Sequence, residues 1–233
     1  MRCKPERFFS FKRGEFLQDF PDTVEALDDP AGLLVAGGSL DDKTLLDAYK
    51  KGIFPWGEDK GLPLWWAPDP RTVLYPADIN ISRSLSKTIR RNKYKVTFDT
   101  KFETVISACG PGRNENTWIS KNVVNAYTNL FYRGLAHSVE CWFEDKLCGG
   151  LYGVTLGRIF FGESMYSSKR DASKVALAYL CEKLVSWEYQ LVDCQVYSEH
   201  LTKMGATSLS KSVFQDILND QITKEPSKNA WRV

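Results

Sequence analysis

Several features that would assign this chain to a specialised class of protein are missing. The six cysteines stand at positions 3, 109, 141, 148, 181 and 194, without a Cys-x-x-Cys pair or a histidine at zinc-ligand spacing. Neither a disulfide framework nor a metal site is therefore expected, and the thiols are predicted to be free in a reducing compartment. The chain has only two histidines, His137 and His200, and neither has a catalytic partner at a diagnostic spacing.

Long apolar runs, nucleotide-binding loops and a strong net charge are also missing. No window reaches the length of a membrane span, and no signal-peptide apolar run follows the first residues. Walker, Gly-x-Gly-x-x-Gly and Gly-x-Ser-x-Gly motifs do not occur. The formal charge of +2 is too mild to identify a nucleic-acid binder from the whole chain. We expect a soluble, cytoplasmic and monomeric protein in which any basic surface is local.

What the chain does have is aromatic residues, at 13% with seven tryptophans. Three of these tryptophans lie at 52–71 in GIFPWGEDKGLPLWWAPDPR, among four prolines. Prolines at this density predict an ordered loop rather than a helix or a central strand. A helix is predicted before it, with Ser39 as N-cap and Gly52 at its end. We predict a small N-terminal domain, residues 1–64, and a larger domain, residues 65–233.

The larger part of the chain has a regular order of elements. The segments HSVECWF, KLCGGLYGVTL and RIFFGESM have the composition of strands, and turn residues at Glu144-Asp145 and Gly157 separate them. A helix is predicted before them from Ser120, another after them from near Asp171, and YQLVDCQVY is a further strand candidate. This order predicts an α/β or α+β fold with a sheet flanked by helices.

Three polar residues interrupt two of the apolar strands. Glu163 lies in FFGESM, and Asp193 and Gln195 lie in LVDCQ. Strands joined through a helix are often neighbours, so these side chains can converge near the strand ends. Strand alternation predicts that Phe161, Glu163 and Met165 share one face. Polar groups among apolar neighbours form a candidate site, and a purely structural role for the carboxylates is the alternative.

A basic stripe is predicted in SRSLSKTIRRNKYK, residues 82–95. Helical spacing places Arg83, Lys87, Arg90 and Arg91 along one face. Such a stripe can hold nucleic-acid phosphates and read shape rather than sequence. A solvated helical face is the alternative.

A series of short motifs occurs between about residues 8 and 215, in the order GLLVAGGSL, GIFPW, WWAPDPR, SRSL, TWIS, AHSVE, GGLYG, FFGESMYS, ASKVAL, LVDCQ and HLTKMGA. In this order and at these intervals they resemble the bacterial leucyl/phenylalanyl-tRNA-protein transferases. The resemblance implies a GCN5-related N-acetyltransferase-like mixed sheet flanked by helices, after a small N-terminal domain. It also implies transfer of Leu or Phe, and less well Met, from aminoacyl-tRNA to proteins that begin with Arg or Lys, without a cofactor. The new N-terminus would mark these proteins for N-degron degradation.

The resemblance also implies roles for the polar cluster. Asp193 and Gln195 match the catalytic pair of the family. We interpret Gln195 as a hydrogen-bonding positioner of the attacking amine, and Asp193 as its orienter and a stabiliser of developing ammonium charge. Glu163 is expected to bind either the α-ammonium of the aminoacyl group or the cationic end of the acceptor protein.

Two substrate-binding surfaces are implied in the same way. An aminoacyl pocket, for which plain core is the alternative, would be lined by Leu151, Phe160, Met165, Leu177, Leu184 and Val192. Trp56 and Trp118 match aromatics that lie near the terminal adenosine of the tRNA, where stacking suits an unpaired 3' end. The basic stripe would hold the acceptor stem.

Three other readings remain open at this point. A coenzyme A-dependent N-acetyltransferase would need a glycine-rich pyrophosphate loop, whereas this chain has SSKRDASK after the strand. An aminoacyl-tRNA-dependent ligase acting on a peptidoglycan precursor would share the fold. A non-enzymatic RNA-binding module would leave the pairing of Asp193 with Gln195 unused.

Overall fold

The computed structural model describes residues 9–13, 19–110 and 118–232. A small sheet comes first and consists of β1 (Phe9–Arg13), β2 (Leu33–Gly38), β3 (Phe54–Asp59) and β4 (Leu62–Trp66). Its strand order is β1-β2-β4-β3, in which β1 and β2 are parallel and the other neighbours antiparallel.

A second sheet of seven strands forms the larger part of the molecule. It consists of β5 (Arg71–Leu74), β6 (Lys95–Phe98), β7 (Ala136–Phe143), β8 (Lys146–Leu156), β9 (Ile159–Ser167), β10 (Leu191–Gln195) and β11 (Thr207–Leu209). The order is β11-β5-β10-β9-β8-β7-β6. Only β9 and β10 pair in parallel among the described strands of this sheet. The predicted order of three antiparallel strands, a helix and a strand is confirmed.

Seven α-helices accompany the two sheets within the described ranges: α1 (Asp42–Lys50), α2 (Arg83–Arg90), α3 (Phe102–Cys109), α4 (Lys121–Tyr132), α5 (Ala172–Ser186), α6 (Glu199–Lys203) and α7 (Lys211–Gln221). Ser82 and Ser120 cap α2 and α4 through their hydroxyls, since a serine oxygen satisfies an amide that the first turn leaves unpaired. Of the helices described, none has both the length and the apolar character that crossing a bilayer requires.

Two apolar clusters cover the two faces of the larger sheet. One includes Leu45 of α1, Tyr127 of α4 and Tyr152 of β8, and it reaches into the small sheet. The other lies under α5 and α2 and includes Leu85 and Val192. Burying each large apolar side chain contributes about 1.5 to 3 kcal/mol, so these clusters hold the helices on the sheet. The predicted class, a mixed α/β fold with a sheet flanked by helices, is confirmed, and the domain division at residue 64 stays a prediction.

The prediction of a loop over residues 52–71 is wrong, because β3 and β4 form a hairpin there. β3 is at the edge of the small sheet, where a missing proline amide costs no ladder bond. Pro63 precedes the part of β4 that pairs with β2, which begins at Leu64. Pro55 in β3 and Pro63 in β4 are thus both accommodated by their positions in the hairpin.

The N-cap of α1 also differs from the prediction. Asp41, and not Ser39, caps the helix, and its Oδ1 accepts a hydrogen bond of 3.0 Å from the Thr44 amide. The Ser39 hydroxyl donates to the Asp41 carboxylate instead. An ionised cap is favoured here because a carboxylate also interacts well with the positive end of the helix dipole.

Candidate active site

The candidate site lies where β9 and β10 separate. The two strands pair in parallel from Ile159 opposite Leu191 to Phe161 opposite Asp193. On the other side of β9, Gly153 pairs with Gly162 and Tyr152 with Ser164, so Glu163 is the extra residue of a β-bulge. The bulge re-aims the strand at the point where the gap between β9 and β10 opens.

The bulge changes which side chains share a face. Phe160 and Met165 belong to the apolar cluster under α5, and Phe161 belongs to the cluster on the opposite face. The prediction that Met165 shares a face with Phe161 and Glu163 is therefore wrong. One inserted residue shifts the period-two alternation, and this shift cannot be read from apolar spacing alone.

A cavity of about 200 Å³ opens in this gap. Five of the six residues predicted for an aminoacyl pocket line it: Leu151, Phe160, Met165, Leu177 and Val192. Leu184, the sixth, is fully buried in the core and is not on the cavity wall. The ring of Phe160 lies over Gly153, where an added Cβ would come within 2.6 Å of ring atoms. The position of the Phe160 ring in the cavity wall thus requires glycine at position 153.

Glu163 is at the polar end of the cavity and accepts three hydrogen bonds. Its Oε1 accepts from the Tyr49 hydroxyl at 2.7 Å and from Gln195 Nε2 at 2.8 Å, and its Oε2 accepts from the Tyr127 hydroxyl at 2.8 Å. Its exposed fraction is 8%, and it is the single carboxylate among the described residues that line the cavity. Neither tyrosine was predicted, although a hydroxyl within the apolar stripe of a helix needs a buried partner.

Burial raises the pKa of the Glu163 carboxyl from 4.5 to about 7; the two tyrosine hydroxyls oppose this rise and the charge of Asp193 adds to it. The hydroxyl oxygens of Tyr49 and Tyr127 are also 2.5 Å apart. Two hydroxyl protons cannot serve three close contacts, whereas a protonated Glu163 supplies the third proton. Near neutral pH Glu163 is thus divided between its two protonation states.

This pKa gives a stability prediction for Glu163→Gln. A folded-state pKa above the unfolded value means that the native state binds the extra proton, so the stabilisation is present below pH 4.5 and is lost as the pH rises to 7. Relative to the variant, wild type is expected to lose about 3 kcal/mol of unfolding free energy over this interval. Urea denaturation of both proteins at several pH values measures the difference, and parallel curves would contradict the raised pKa.

Gln195 ends β10 with an unusual backbone. Its φ is +65°, in the left-handed region, and the pairing of β10 with β5 shifts between Asp193 and Gln195. Because its Nε2 donates to Glu163, its Oε1 is the amide atom left to accept a hydrogen bond in the cavity. A neutral oxygen acceptor beside a carboxylate can orient an amine.

Asp193 is next to the site but does not line the cavity. Its carboxylate is fully buried and accepts two hydrogen bonds from Arg71. Arg71 Nε donates to Oδ1 at 2.8 Å, and Arg71 Nη2 donates to Oδ2 at 2.7 Å. Oδ1 also accepts the amide of Gln195 at 2.9 Å. The predicted role as an orienter of Gln195 agrees with these contacts. The predicted stabilisation of an ammonium by Asp193 is not favoured, because its carboxylate is paired with Arg71 and does not line the cavity.

Two tryptophans flank the cavity. Trp56 is 40% exposed and Trp118 is half-buried, and both contribute to the lining. The Trp66 indole donates to the Trp56 carbonyl at 2.6 Å, and the two rings meet edge to face at 5.4 Å. These two contacts hold Trp56 in place beside the cavity.

The basic stripe is on the surface of α2. Arg83, Lys87 and Arg90 are exposed on this helix, and Arg91 is its exposed C-cap. Within residues 9–13, 19–110 and 118–232, none of these four cations forms an ion pair. Unpaired cations along one face form an electrostatic surface for a polyanion.

The loop before α5 uses its amides internally. The amides of Ser168 and Lys169 donate to the Cys148 carbonyl at 2.8 and 3.3 Å, and the amide of Ser173 donates to Ser167 Oγ at 3.1 Å. A pyrophosphate at a helix N-terminus requires free amides. These contacts do not favour the coenzyme A reading.

Comparisons with known proteins identify the family of this chain. Residues 73–219 match the family described as leucyl/phenylalanyl-tRNA protein transferase, and residues 38–69 match its N-terminal domain. A leucyl/phenylalanyl-tRNA-protein transferase from Nitrosomonas europaea is 48% identical over 212 residues, covering 90% of this chain and 89% of that protein. The relative of the same name from Pseudomonas syringae pv. tomato is 50% identical over 202 residues, covering 86% and 88%.

Among solved structures, a protein from Clostridium acetobutylicum described as a predicted acetyltransferase is 11% identical, with a TM-score of 0.36. It covers 46% of this chain and 81% of its own. The mixed sheet that opens over an apolar cavity, together with the matched relatives, defines an aminoacyltransferase. The chain belongs to the leucyl/phenylalanyl-tRNA protein transferase family.

Proposed function

We propose that this protein transfers leucine or phenylalanine, and methionine less well, from aminoacyl-tRNA to the α-amino group of proteins that begin with Arg or Lys. The observation that carries the proposal is the pairing of Glu163 with Gln195 at the polar end of an apolar cavity, 2.8 Å apart and flanked by Trp56 and Trp118. An apolar side chain, an ester and an amine each find a complementary surface there. The product would enter the N-degron pathway in the bacterial cytoplasm, where aminoacyl-tRNA is made.

The apolar walls suit the donor. Met165, Leu151 and Leu177 have unbranched Cβ atoms, so their side chains can adapt to either leucine or phenylalanine. A β-branched valine or isoleucine would fill the cavity less well, at a cost of about 1 to 3 kcal/mol. Stacking of the terminal adenosine on Trp56 or Trp118 would add about 1 to 3 kcal/mol and needs no base-specific contact.

The reaction is aminolysis of an ester. The acceptor nitrogen forms a bond to the carbonyl carbon, the bond from that carbon to the ribose oxygen breaks, and the amine proton replaces it on the leaving oxygen. An α-amino group has a pKa of about 7.7 to 8.0, so roughly a fifth is already free amine near neutral pH. A strong base is not required. Gln195 Oε1 would accept an N–H of the amine and direct its lone pair at the ester.

Glu163 supplies the charge that substrate binding needs. The α-ammonium of the aminoacyl group and the Arg or Lys side chain of the acceptor are both cations, and each could bind this carboxylate. A cation held there favours the ionised form and would lower the raised pKa of Glu163. Binding of the substrate would thus complete the ionisation of the site.

The α2 stripe is proposed to hold the phosphates of the acceptor stem. The double variant Arg90→Gln/Arg91→Gln should weaken binding of every tRNA to a similar degree and reduce the slope of log K against log salt by about 2. Filter binding at several salt concentrations measures this slope. Lys50→Gln/Lys224→Gln removes two cations that already pair with Asp47 and Asp220, and it serves as the control. An equal loss of slope in both double variants would contradict the assignment.

A panel of acceptors tests the proposed specificity. Proteins that differ only in a first residue of Arg, Lys or Met are incubated with labelled leucyl-tRNA, beside a nucleotide-linked muropeptide. Label on the Arg and Lys proteins alone is expected. Label on the muropeptide alone would contradict the proposal and favour an aminoacyl-tRNA-dependent ligase that acts on a peptidoglycan precursor. Binding of tRNA without any transfer would favour a non-enzymatic RNA-binding module.

A further inference from the structure

Arg71, the last residue of the sequence motif WWAPDPR, is a buried cation paired with Asp193. It is the first residue of β5, and its exposed fraction is 1%. Its guanidinium forms the two-bond contact with Asp193 described above, at 2.8 and 2.7 Å. A two-bond contact fixes the carboxylate in its plane as well as in position, which a single lysine contact cannot do.

Two aromatic rings fix the guanidinium in turn. The Arg71 Cζ atom is 4.6 Å from the centroid of the Phe54 ring and 4.7 Å from that of Phe214. Phe54 belongs to β3 of the small sheet, and Phe214 belongs to α7. β3 also carries Trp56 of the cavity. Arg71 therefore connects the small sheet and α7 with the strand that carries Gln195.

The contact continues through Asp193 to the backbone of Gln195. Asp193 Oδ1, which receives Arg71 Nε, also accepts the amide of Gln195 at 2.9 Å. The positive φ of Gln195 is a conformation that a residue with a side chain rarely adopts without support. The Asp193 carboxylate supplies that support because it holds the amide in the turn, and Arg71 holds the carboxylate.

We propose that Arg71 is a positioning residue for aminoacyl transfer, which acts through Asp193 to fix the left-handed turn at Gln195. This inference rests on the proposed function. The turn aims the Gln195 side chain at Glu163 and leaves its Oε1 toward the amine. Arg71 also pairs with the Asp193 carboxylate, so Glu163, which lines the cavity, is the carboxylate left to attract a cation. The Asp193 carboxylate acts on geometry rather than as a base.

Arg71→Lys tests the role because it keeps the charge and removes the two-bond geometry. We expect kcat for leucine transfer to fall roughly 10- to 100-fold. The KM values for leucyl-tRNA and acceptor should stay within about twofold, since Arg71 touches neither substrate. Arg158→Lys is the matched control, because Arg158 bonds Glu188 and the Glu225 carbonyl away from the cavity. The control should retain wild-type kcat.

A double-variant cycle separates positioning from general stability. In a Gln195→Ala background, Arg71→Lys should change the single-turnover rate by less than about twofold, because the side chain it positions is gone. An equal loss in both backgrounds, or a wild-type kcat for Arg71→Lys, would overturn the proposal. If Arg71→Lys does not fold, Phe214→Leu removes one ring from the guanidinium and takes its place in the cycle. Failure of wild type to transfer leucine would instead refute the proposed function.

Discussion

Replacement of Gln195 by alanine is expected to lower kcat for leucine transfer by about 100-fold or more. The amide is the group that would accept an N–H of the nucleophile, and it is fixed by its 2.8 Å hydrogen bond to Glu163. The dissociation constant for leucyl-tRNA should change by less than about twofold, since stacking and phosphate contacts are untouched. Single-turnover transfer and equilibrium tRNA binding measure the two quantities.

The matched control for this variant is Gln190→Ala, since Gln190 is an exposed glutamine just before β10. It should retain the wild-type rate. A Gln195→Ala protein that transfers leucine at the wild-type rate would remove Gln195 from the mechanism. A loss of tRNA affinity equal to the loss of rate would assign Gln195 to donor binding instead of positioning.

Glu163→Gln should have the second large effect, with kcat/KM reduced by about 10- to 100-fold. The substitution keeps the size of the side chain and an acceptor oxygen for Tyr49 or Tyr127, but removes the charge that would bind a substrate cation. The loss should appear in kcat/KM, because the cation is absent from the free enzyme. Steady-state transfer with varied acceptor and varied leucyl-tRNA identifies which substrate depends on the charge.

The pH dependence gives this variant a readout that a structural role would not produce. In wild type, kcat/KM should rise with pH as Glu163 ionises near 7 and as the acceptor amine loses its proton near 7.7 to 8.0. The variant should keep the rise from the amine and lose the one from Glu163. Identical profiles for the two proteins would contradict the role of this carboxylate.

Local sequence patterns predicted many of the helices and strands of the fold. Alternating and β-rich runs predicted β7, β8 and β9, the serine at position 120 predicted the start of α4, and the helical spacing of the basic residues predicted α2. The hairpin of β3 and β4 was missed because proline frequency says nothing about which strand is at an edge. The face of Met165 was missed because the bulge at Glu163 depends on pairing with β8.

The candidate site was predictable where its residues lie within a single pattern. Polar residues at the ends of apolar strands indicated Glu163, Asp193 and Gln195. Their partners come from far along the chain: Arg71 is 122 residues from Asp193, and Tyr49 is 114 from Glu163. Nothing local in the sequence pairs such positions. An arginine at the start of an apolar strand needs a counter-ion if it is buried, but the sequence does not show which carboxylate supplies it.

The most direct test of the account is single-turnover transfer from leucyl-tRNA to a peptide that begins with Arg, followed by mass spectrometry of the peptide. The account predicts one added leucine on the α-amino nitrogen, and no addition to the same peptide with an acetylated N-terminus. Leucine on the acetylated peptide, or release of free leucine from the tRNA without any peptide product, would contradict aminolysis by the α-amino group at this site.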